Sequence, residues 1–359
     1  MIPSSLKKLI VLLIGLLIAF ILAETLLSMR WRNYWVMSGR SIKLKEHIPG
    51  INRFYAREGI SDNIKGKVSF RTDEEGFILP NLMENKSLSI PHLTIAFLGG
   101  STTECLIVNE DSRFPVLVGR GLKEALKKDM HVINAGCSGD TLQDSVNSLF
   151  NKIINYKPDV AVMMHAINDA GLLLVKGNYS ERMIQGQDNS FKAIFRILTT
   201  KSRVLGFLRD KYAQMAINQE VLINARMINS RGVRIPSPKE FIDLKCAISE
   251  FSSRLKVFID MCNDFGITPV LMTQPFINKP DRELNEYEIK TFLSGMKFLE
   301  PFNDEIRKIC AEKGARLIDL EKHMPKAEKY FYDEVHFTDE GSILISDIIT
   351  RHLADILKN

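Results

Sequence analysis

Cysteine is scarce in this sequence, and neither sign of charge dominates it. The cysteines are five, an odd number, widely spaced and without a C-x-x-C pair: Cys105, Cys137, Cys246, Cys262 and Cys310. This pattern excludes a dense disulfide framework and predicts small core residues, although an exported location would permit one bridge. The formal net charge is only +5, with no long run of like charge, so no nucleic-acid partner is expected. The histidines show no metal-ligand spacing, and neither a metal nor another cofactor is predicted.

The first 35 residues depart from an otherwise globular composition, which is 45% hydrophobic and 25% charged over 359 residues. Lys7 and Lys8 precede an apolar run over residues 9–29 that Glu24 interrupts. A membrane-spanning helix needs about 20 such residues, so this run predicts a single membrane anchor. The basic and aromatic residues that follow are typical of an interfacial belt: Arg30, Trp31, Arg32, Tyr34 and Trp35.

A cleaved signal peptide is the alternative for this N-terminal segment. The residue three before a cut near Ala23 would be Phe20 or Ile21, and neither is small, so an uncleaved anchor is favoured. Lys and Arg stand on both sides of the run, and flanking charge therefore does not settle its orientation. The short head carries two lysines and nothing that could fold. We therefore expect the N-terminus in the cytoplasm and the bulk of the chain outside it.

Residues 36–92 are polar and weakly patterned, which predicts a connector that leads into the main domain. Within it, residues 68–77 could form a short hairpin with Gly76 in the turn. From residue 93 to residue 359 the chain alternates apolar strands with helical patterns, as expected of a parallel sheet covered on both faces. Five strands are predicted, at Thr94–Leu98, Val132–Gly136, Asp159–Met164, Thr268–Thr273 and Ala315–Leu320.

Five strands with interleaved helices predict a flavodoxin-like three-layer α/β/α sandwich around a five-stranded parallel sheet. The later helices are predicted at about 239–265, 281–313 and 339–357. Residues 170–240 interrupt the rhythm with two possible helices, at about 190–200 and 203–228, and no clear strand. Because this insertion follows the carboxyl end of a strand, we interpret it as a cap beside the active face of the sheet. A surface elaboration without function is the alternative.

Two short motifs carry possible chemistry, although each is common by chance. Gly99, Gly100 and Ser101 follow the first strand of the sheet, where a sharp turn would hold the serine hydroxyl above the sheet edge. Asp333 precedes His336 by three residues just before the last helix. A carboxylate at this spacing can hydrogen-bond the imidazole and prepare it to take a proton from a serine hydroxyl.

Four such blocks fall at the same edge of the predicted sheet, and together they resemble the SGNH/GDSL hydrolase family over residues 92–357. The resemblance implies that Ser101 is the nucleophile, His336 the base and Asp333 its partner. It also implies an oxyanion hole made of the Ser101 N–H, the Gly139 N–H and the side-chain amide of Asn168. Such a site would make the protein a serine esterase that needs no cofactor.

Two positions depart from the family's motifs. Gly100 stands where the family has the Asp before the nucleophile, a variation that resembles its Gly-Gly-Ser subset. Ala166 stands where the third block opens with Gly, and its methyl group could narrow the acyl pocket. Neither change removes a catalytic group, so an active enzyme is expected. His165, three residues before Asn168, is interpreted first as a structural histidine at the end of a buried strand, with substrate contact as the alternative.

The substrate is predicted only by class. A membrane-tethered, outward-facing member of this family resembles enzymes that act on O-acyl groups of surface carbohydrates, so an O-acetylated carbohydrate is the expected partner. Transfer of the acyl group to a sugar hydroxyl, in place of water, would make the same site an O-acetyltransferase. A lipid esterase or lysophospholipase would need a roomy apolar acyl slot. The remaining alternative is a non-catalytic assembly or binding protein of an envelope-polysaccharide system. The sequence does not predict an oligomeric state.

Overall fold

The computed structural model describes residues 3–30, 42, 44–58, 60, 64–82, 92–180, 202, 204–205, 208, 223–224, 243–277 and 299–358. The chain divides into two compact units. One consists of Met1–Lys43 with Ile184–Gln219, and the other of Leu44–Met183 with Glu220–Asn359.

The first unit is dominated by helix α1 (Ser4–Arg30). Its segment Ser4–Leu27 has a mean hydropathy of 2.8 and contains no buried residue, and it is long and apolar enough to cross a membrane. A signal sequence would have the same properties. The one acidic residue of the apolar run is hydrogen-bonded: Glu24 Oε2 accepts from the Ser202 hydroxyl and from the Val204 N–H, both at 3.0 Å. Most of the predicted interfacial belt, residues 31–35, lies outside the described residues.

The second unit contains the strands. They are β1 (Asn52–Ala56), β2 (Lys67–Arg71), β3 (His92–Gly99), β4 (Asp129–Asn134), β5 (Val160–Met164), β6 (Ile223–Asn224), β7 (Thr268–Met272) and β8 (Arg316–Ile318). Its helices are α2 (Ser101–Glu104), α3 (Phe114–Leu126), α4 (Leu142–Asn151), α5 (Ile167–Lys176), α6 (Leu244–Asp264), α7 (Leu299–Lys313), α8 (Leu320–His323) and α9 (Asp339–Lys358).

Five parallel strands form the main sheet in the order β4-β3-β5-β7-β8, which confirms the predicted architecture. The register aligns Gly99 at the end of β3 with Met164 at the end of β5. Strands β4 and β5 lie on opposite sides of β3. The strand order therefore changes direction beside β3, and the carboxyl end of β3 lies at a topological switch point. Ligands of open α/β sheets bind at such a switch point.

Apolar side chains cover both faces of this sheet, which explains why its strands are continuous apolar runs. On one face, helices α4, α5, α6 and α7 pack on the strands around a core that includes Leu149, Leu173, Phe251 and Phe302. On the other face, α3 and α9 pack together around a second core that includes Phe114, Leu122, Ile345 and Ile349. The three layers follow from burying both faces.

The lead-in forms a small sheet that the sequence analysis did not predict. Strand β2 pairs with β1 in antiparallel fashion, rather than with the downstream half of the hairpin expected at 68–77. A single bridge between Thr72 and Ile78 closes the turn at Gly76. The buried Arg113 guanidinium joins this lead-in to α3 by donating to the carbonyl oxygens of Leu79 and Ser69 at 2.7 and 2.6 Å.

The insertion predicted at 170–240 begins inside α5, which extends to Lys176. The helices expected at about 190–200 and 203–228 fall almost entirely outside the described residues. Ile223 and Asn224 form a short strand that pairs with β1, at positions where a helix was expected. The first half of the helix expected at 281–313 also lies outside the described residues, and α7 begins at Leu299.

Candidate active site

Ser101 lies at the turn between β3 and the short helix α2, at the carboxyl edge of the sheet. The two glycines before it are required by close packing. A Cβ atom at Gly99 would lie 2.2 Å from Thr103 Oγ1 and 2.8 Å from the carbonyl oxygen of Met164. A Cβ atom at Gly100 would lie 2.5 Å from the side-chain nitrogen of Asn168. All three distances are far below a van der Waals contact, so a side chain at either position would displace its neighbours.

The predicted base and its partner meet the serine in a continuous line of hydrogen bonds. Ser101 Oγ lies 2.7 Å from His336 Nε2, and His336 Nδ1 lies 2.6 Å from Asp333 Oδ2. A carboxylate only accepts hydrogen bonds, so Nδ1 carries the ring proton and Nε2 presents its lone pair to the serine hydroxyl. The structure therefore brings together three residues from distant parts of the chain in the geometry that nucleophile activation needs.

Asp333 is held in place by its own loop. Its Oδ1 accepts from the backbone N–H groups of Val335 and His336, at 3.0 and 2.8 Å. Burial by itself would raise the pKa of Asp333, but the His336 ring and these N–H groups outweigh it and keep the pKa below its ordinary value. The carboxylate is therefore ionised at neutral pH.

The pKa of His336 is shifted in the opposite direction. Burial lowers the pKa of its imidazole, but the charge and hydrogen bond of Asp333 outweigh burial, and the net pKa lies above its ordinary value. The Tyr332 ring stacks on the imidazole, with an interplanar angle of 7° and ring centroids 5.4 Å apart. The Tyr332 N–H also donates to the carbonyl oxygen of His336 at 3.0 Å. These contacts fix the plane of the ring.

The other two predicted oxyanion donors lie in the loop after β4 and in the first turn of α5. Gly139 follows β4 and has a φ of +73°, which a glycine adopts without strain. Asn168, in the first turn of α5, donates from its side-chain amide to the carbonyl oxygen of Asp140 at 2.8 Å. An amide nitrogen has two hydrogens, so the second remains available for an oxyanion. The closeness of Gly100 to this amide places Asn168 beside the Ser101 turn.

His165 has a structural environment. Its Nε2 lies 2.7 Å from the Ser145 hydroxyl and its Nδ1 lies 3.5 Å from Asp169. Burial lowers the pKa of His165 to about 3, so it is neutral at physiological pH. Asp169 Oδ1 accepts from the Leu142 N–H and from the Tyr179 hydroxyl, which ties the start of α4 to α5. This buried network supports the first turn of α5, in which Asn168 lies.

Sequence reasoning missed several polar residues around the site, because no spacing marks them. Gln274, just after β7, accepts from the Ile167 N–H at 2.9 Å and so holds the residue next to Asn168. From the lead-in, Lys45 pairs with Asp140 and His47 with Glu104. Among the residues that the structure describes, no group of three or more His, Cys, Asp or Glu side chains could hold a metal ion.

Comparison with known proteins gives a family. The family model described as GDSL-like lipase/acylhydrolase matches residues 97–342, more than half of the chain. No curated protein sequence matches this chain. Similar solved structures include a lipase/acylhydrolase from Enterococcus faecalis, 17% identical, with a TM-score of 0.43 over 73% of this chain and 96% of that one. An acetylxylan esterase from Geobacillus stearothermophilus is 15% identical, with a TM-score of 0.42 over 72% of this chain and 93% of that one.

The family match spans β3 to the start of α9, and it therefore includes Ser101, Gly139, Asn168, Asp333 and His336. Ser101, Gly139 and Asn168 follow the carboxyl ends of β3, β4 and β5, and the loop before α9 brings His336 and Asp333 to Ser101. The chain belongs to the GDSL-like lipase/acylhydrolase family and is an ester hydrolase.

Proposed function

We propose that the protein is a serine esterase that removes a small O-acyl group through Ser101, His336 and Asp333. The observation that carries this proposal is the line of hydrogen bonds from Ser101 Oγ through the imidazole to Asp333, with lengths of 2.7 and 2.6 Å. The bond between Ser101 and His336 is short enough for proton transfer to the imidazole, and the bond between His336 and Asp333 is short enough to orient the imidazole.

The proposed reaction begins when His336 Nε2 takes the proton of Ser101 as Oγ attacks the ester carbonyl. The imidazolium that forms is stabilised by the Asp333 carboxylate, and it then protonates the leaving alcohol. In the second half of the reaction, His336 takes a proton from water as the water attacks the acyl carbonyl. The bond from the acyl carbon to Ser101 Oγ then breaks, the acid leaves, and the imidazolium returns its proton to Oγ. Both halves of the reaction use Ser101, His336 and Asp333, so the proposed mechanism needs no cofactor.

The negative charge of each tetrahedral intermediate would be held by three donors. They are the backbone N–H groups of Ser101 and Gly139 and the second hydrogen of the Asn168 amide. Donors fixed in advance of the reaction stabilise the developing oxyanion, and removing one typically lowers kcat about 100- to 1000-fold. The polar contacts of Asn168 with Asp140 support such a fixed arrangement.

For the substrate we propose a short acyl ester, of the O-acetyl class on a carbohydrate. Ala166, only 1% exposed, lies two residues before Asn168 and adds a methyl group where the family motif has none. We infer that this methyl group narrows the acyl site, which favours acetyl over long chains. An envelope carbohydrate fits a protein that α1 holds at a membrane, and a sugar hydroxyl that replaces water would convert hydrolysis into acyl transfer.

The test uses the full-length protein in detergent, with p-nitrophenyl acetate, butyrate, octanoate and dodecanoate as substrates. Activity limited to the shortest esters and lost in Ser101→Ala is the expected result. A preference for dodecanoate would replace the proposal by a lipid esterase. A folded wild type that neither turns over these esters nor reacts with a fluorophosphonate would favour a non-catalytic binding protein. Release of free acetate, compared with and without an oligosaccharide acceptor, separates hydrolysis from transfer.

We also propose that α1 is an uncleaved anchor and that the second unit is extracytoplasmic. A natural probe is available, because all five cysteines carry free thiols and only Cys246, in α6, is exposed. A membrane-impermeant maleimide should label intact cells that express the wild type but not Cys246→Ser. Labelling only after permeabilisation would reverse the proposed topology, and loss of the N-terminal residues in a mass spectrum of the mature protein would favour a signal peptide.

A further inference from the structure

Gly139 is flanked by two residues whose side chains are each tied to the lead-in. On one side, the buried Asp140 carboxylate pairs through Oδ1 with the Lys45 ammonium at 3.2 Å. On the other side, the Ser138 hydroxyl donates to Glu104 Oε2, and Glu104 Oε1 lies 3.0 Å from His47 Nε2. Lys45 and His47 precede the residues that the family model matches. The lead-in therefore contacts the residue after this proposed oxyanion donor directly and the residue before it through Glu104.

The Lys45 contact reaches both loops of the proposed oxyanion hole. The ammonium lies so close to Gly139 that a Cβ atom there would be 3.2 Å from Nζ. Its partner Asp140 is only 2% exposed, and the carbonyl oxygen of Asp140 holds the Asn168 amide. Burial raises the pKa of Asp140, while the Lys45 charge opposes that rise and favours the ionised carboxylate. Without Lys45, the pKa of this buried carboxyl would rise further and the ion pair that fixes its position would be lost, so we expect its loop to be held less firmly.

His47 makes a hydrogen bond to the Gly136 carbonyl oxygen and an ion-pair contact with Glu104. His47 Nε2 lies 3.0 Å from Glu104 Oε1 and 3.2 Å from the carbonyl oxygen of Gly136. Both oxygens are acceptors, so Nε2 must carry a proton. Gly136 itself has no room for a side chain, because a Cβ atom would lie 2.4 Å from the Glu104 N–H nitrogen. Helix α2, which begins at Ser101 and ends at Glu104, and the loop after β4 thus share one hydrogen-bonded junction.

Glu46, between these two residues, anchors the segment. Its carboxylate pairs with Lys152 at 2.7 Å, and both side chains are 8% exposed. A buried ion pair of this kind is sensitive to the loss of either partner, and it fixes the position of its neighbours along the chain. Lys45 and His47 therefore extend from a segment whose backbone is held against the domain.

From these contacts we propose that the lead-in completes the oxyanion hole, with Lys45 and His47 as positioning residues. Lys45 acts through Asp140 on Gly139 and Asn168, and His47 acts through Glu104 on Ser138 and Gly139. The proposal rests on the esterase function proposed above. Misplacing a catalytic group by about 1 Å can lower the rate about 100-fold, so residues outside the matched region can govern kcat.

The test compares Lys45→Met, Lys45→Arg and wild type, as full-length protein in detergent, with p-nitrophenyl acetate as substrate. Lys45→Met should lower kcat about 10- to 100-fold with little change in KM, because a misplaced oxyanion hole weakens the transition state rather than substrate binding. Lys45→Arg retains the positive charge and should recover much of the loss. The rate of labelling by a fluorophosphonate, whose phosphoryl oxygen occupies the oxyanion hole, should fall in parallel.

Arg71→Met is the matched control. Arg71 also joins the lead-in to the domain, through an ion pair with Glu110, but neither residue contacts Gly139 or its neighbours in the described structure. This variant should keep the wild-type kcat. A second pair of variants probes the other contact: His47→Gln retains a donor at the position of Nε2, whereas His47→Leu removes it, so only His47→Leu should lose kcat.

The double variant Lys45→Met/Asp140→Asn separates positioning from a direct effect of charge. If Lys45 acts through Asp140, the double variant is no slower than the slower single variant, whereas independent effects multiply. Multiplying effects would overturn the positioning role, as would equal kcat values for Lys45→Met and Arg71→Met in folded samples. A wild type that neither hydrolyses the ester nor reacts with the fluorophosphonate would instead overturn the esterase proposal, and this inference with it.

Discussion

Gln274 Oε1 accepts a hydrogen bond of 2.9 Å from the backbone N–H of Ile167, the residue before Asn168. The same side chain donates from Nε2 to Thr102 Oγ1 at 3.4 Å, next to Ser101. Asn303 holds the Gln274 backbone from below, through bonds of 2.8 and 3.0 Å to its N–H and carbonyl groups. A single buried amide therefore links the turn of the nucleophile to the loop that bears a proposed oxyanion donor.

The first prediction concerns Gln274→Met, which keeps the side-chain volume and removes both polar atoms. The Ile167 N–H loses its acceptor, so we expect the free energy of unfolding to fall by about 1–3 kcal/mol. Asn168 should also shift and lower kcat for p-nitrophenyl acetate. Thr273→Val is the control: its hydroxyl bonds Asp319 at 2.9 Å, away from Ser101. The control should lose stability without losing kcat, and a similar kcat loss in both variants would contradict a local role for Gln274.

The second prediction is the pH dependence of the reaction. His336 must be neutral to act as the base, so kcat/KM should rise with pH through the pKa of His336. Because Asp333 raises this pKa, the midpoint should lie above the ordinary histidine value of about 6.5. Asp333→Asn removes the negative charge that raises the pKa of His336 and leaves the burial that lowers it. The midpoint of the pH profile should therefore move below that of the wild type. A midpoint that does not respond to this substitution would disconnect His336 from the rate.

The rate of Asp333→Asn at its own optimum should also fall steeply. Replacing the carboxylate by an amide can favour the wrong imidazole tautomer, a change that costs about 10⁴-fold in kcat in the serine protease triad. A loss of less than about 10-fold would be too small for the orienting role assigned to Asp333.

The third prediction is a window of stability. The raised pKa of His336 contributes stability that is present below its unfolded pKa and is lost as pH rises through its folded pKa. The lowered pKa of Asp333 contributes stability that is present above its unfolded pKa and is lost as pH falls through its folded pKa. Both contributions are complete between about pH 4 and pH 6.5. The difference in Tm between wild type and His336→Gln should therefore be larger near pH 5.5 than near pH 8.5.

Much of the fold was predictable because the strands of the main sheet are buried on both faces. Strands such as β5 form uninterrupted apolar runs in the sequence. The predicted ends of these strands agree with the observed ends to within a few residues. The small sheet was not predictable in the same way. Strand β1 is partly exposed, its sequence lacks a regular alternation, and its neighbour β6 lies far away in the chain.

The candidate site, like the fold, was predictable from the sequence only in part. Ser101, Asn168 and His336 follow or precede recognisable elements, and parallel strands bring such positions to one edge whatever the rest of the sequence is. Lys45 has no comparable signal, because an isolated lysine in a polar segment is usually solvated. Its contact with Asp140 joins residues far apart in the chain, and only the folded lead-in brings them together.

The last prediction concerns Gly100, which stands where the family motif has an aspartate. The Asn168 amide fills the space that a side chain at position 100 would need, because a Cβ atom there would lie 2.5 Å from Asn168 Nδ2 and 3.7 Å from its Cγ. The backbone of Gly100 has a φ of −83°, which other residues adopt readily, so the obstacle is the amide and not the turn. Gly100→Ala should therefore displace Asn168 and lower kcat for p-nitrophenyl acetate, approaching the about 100- to 1000-fold loss that removing an oxyanion donor causes.

Asn168→Ala tests this mechanism in combination with Gly100→Ala. Once the amide is removed, the nearest atom left to a methyl group at position 100 is the Asp140 carbonyl oxygen at 3.3 Å, which needs only a small shift. The double variant should therefore have nearly the same kcat as Asn168→Ala alone. Wild type and the three variants can be compared by kcat and by Tm, and all four should fold. A further loss in the double variant would show that a side chain at position 100 disturbs Ser101 itself. In that case the absence of the family aspartate would reflect the geometry of the nucleophile and not the position of its oxyanion donor.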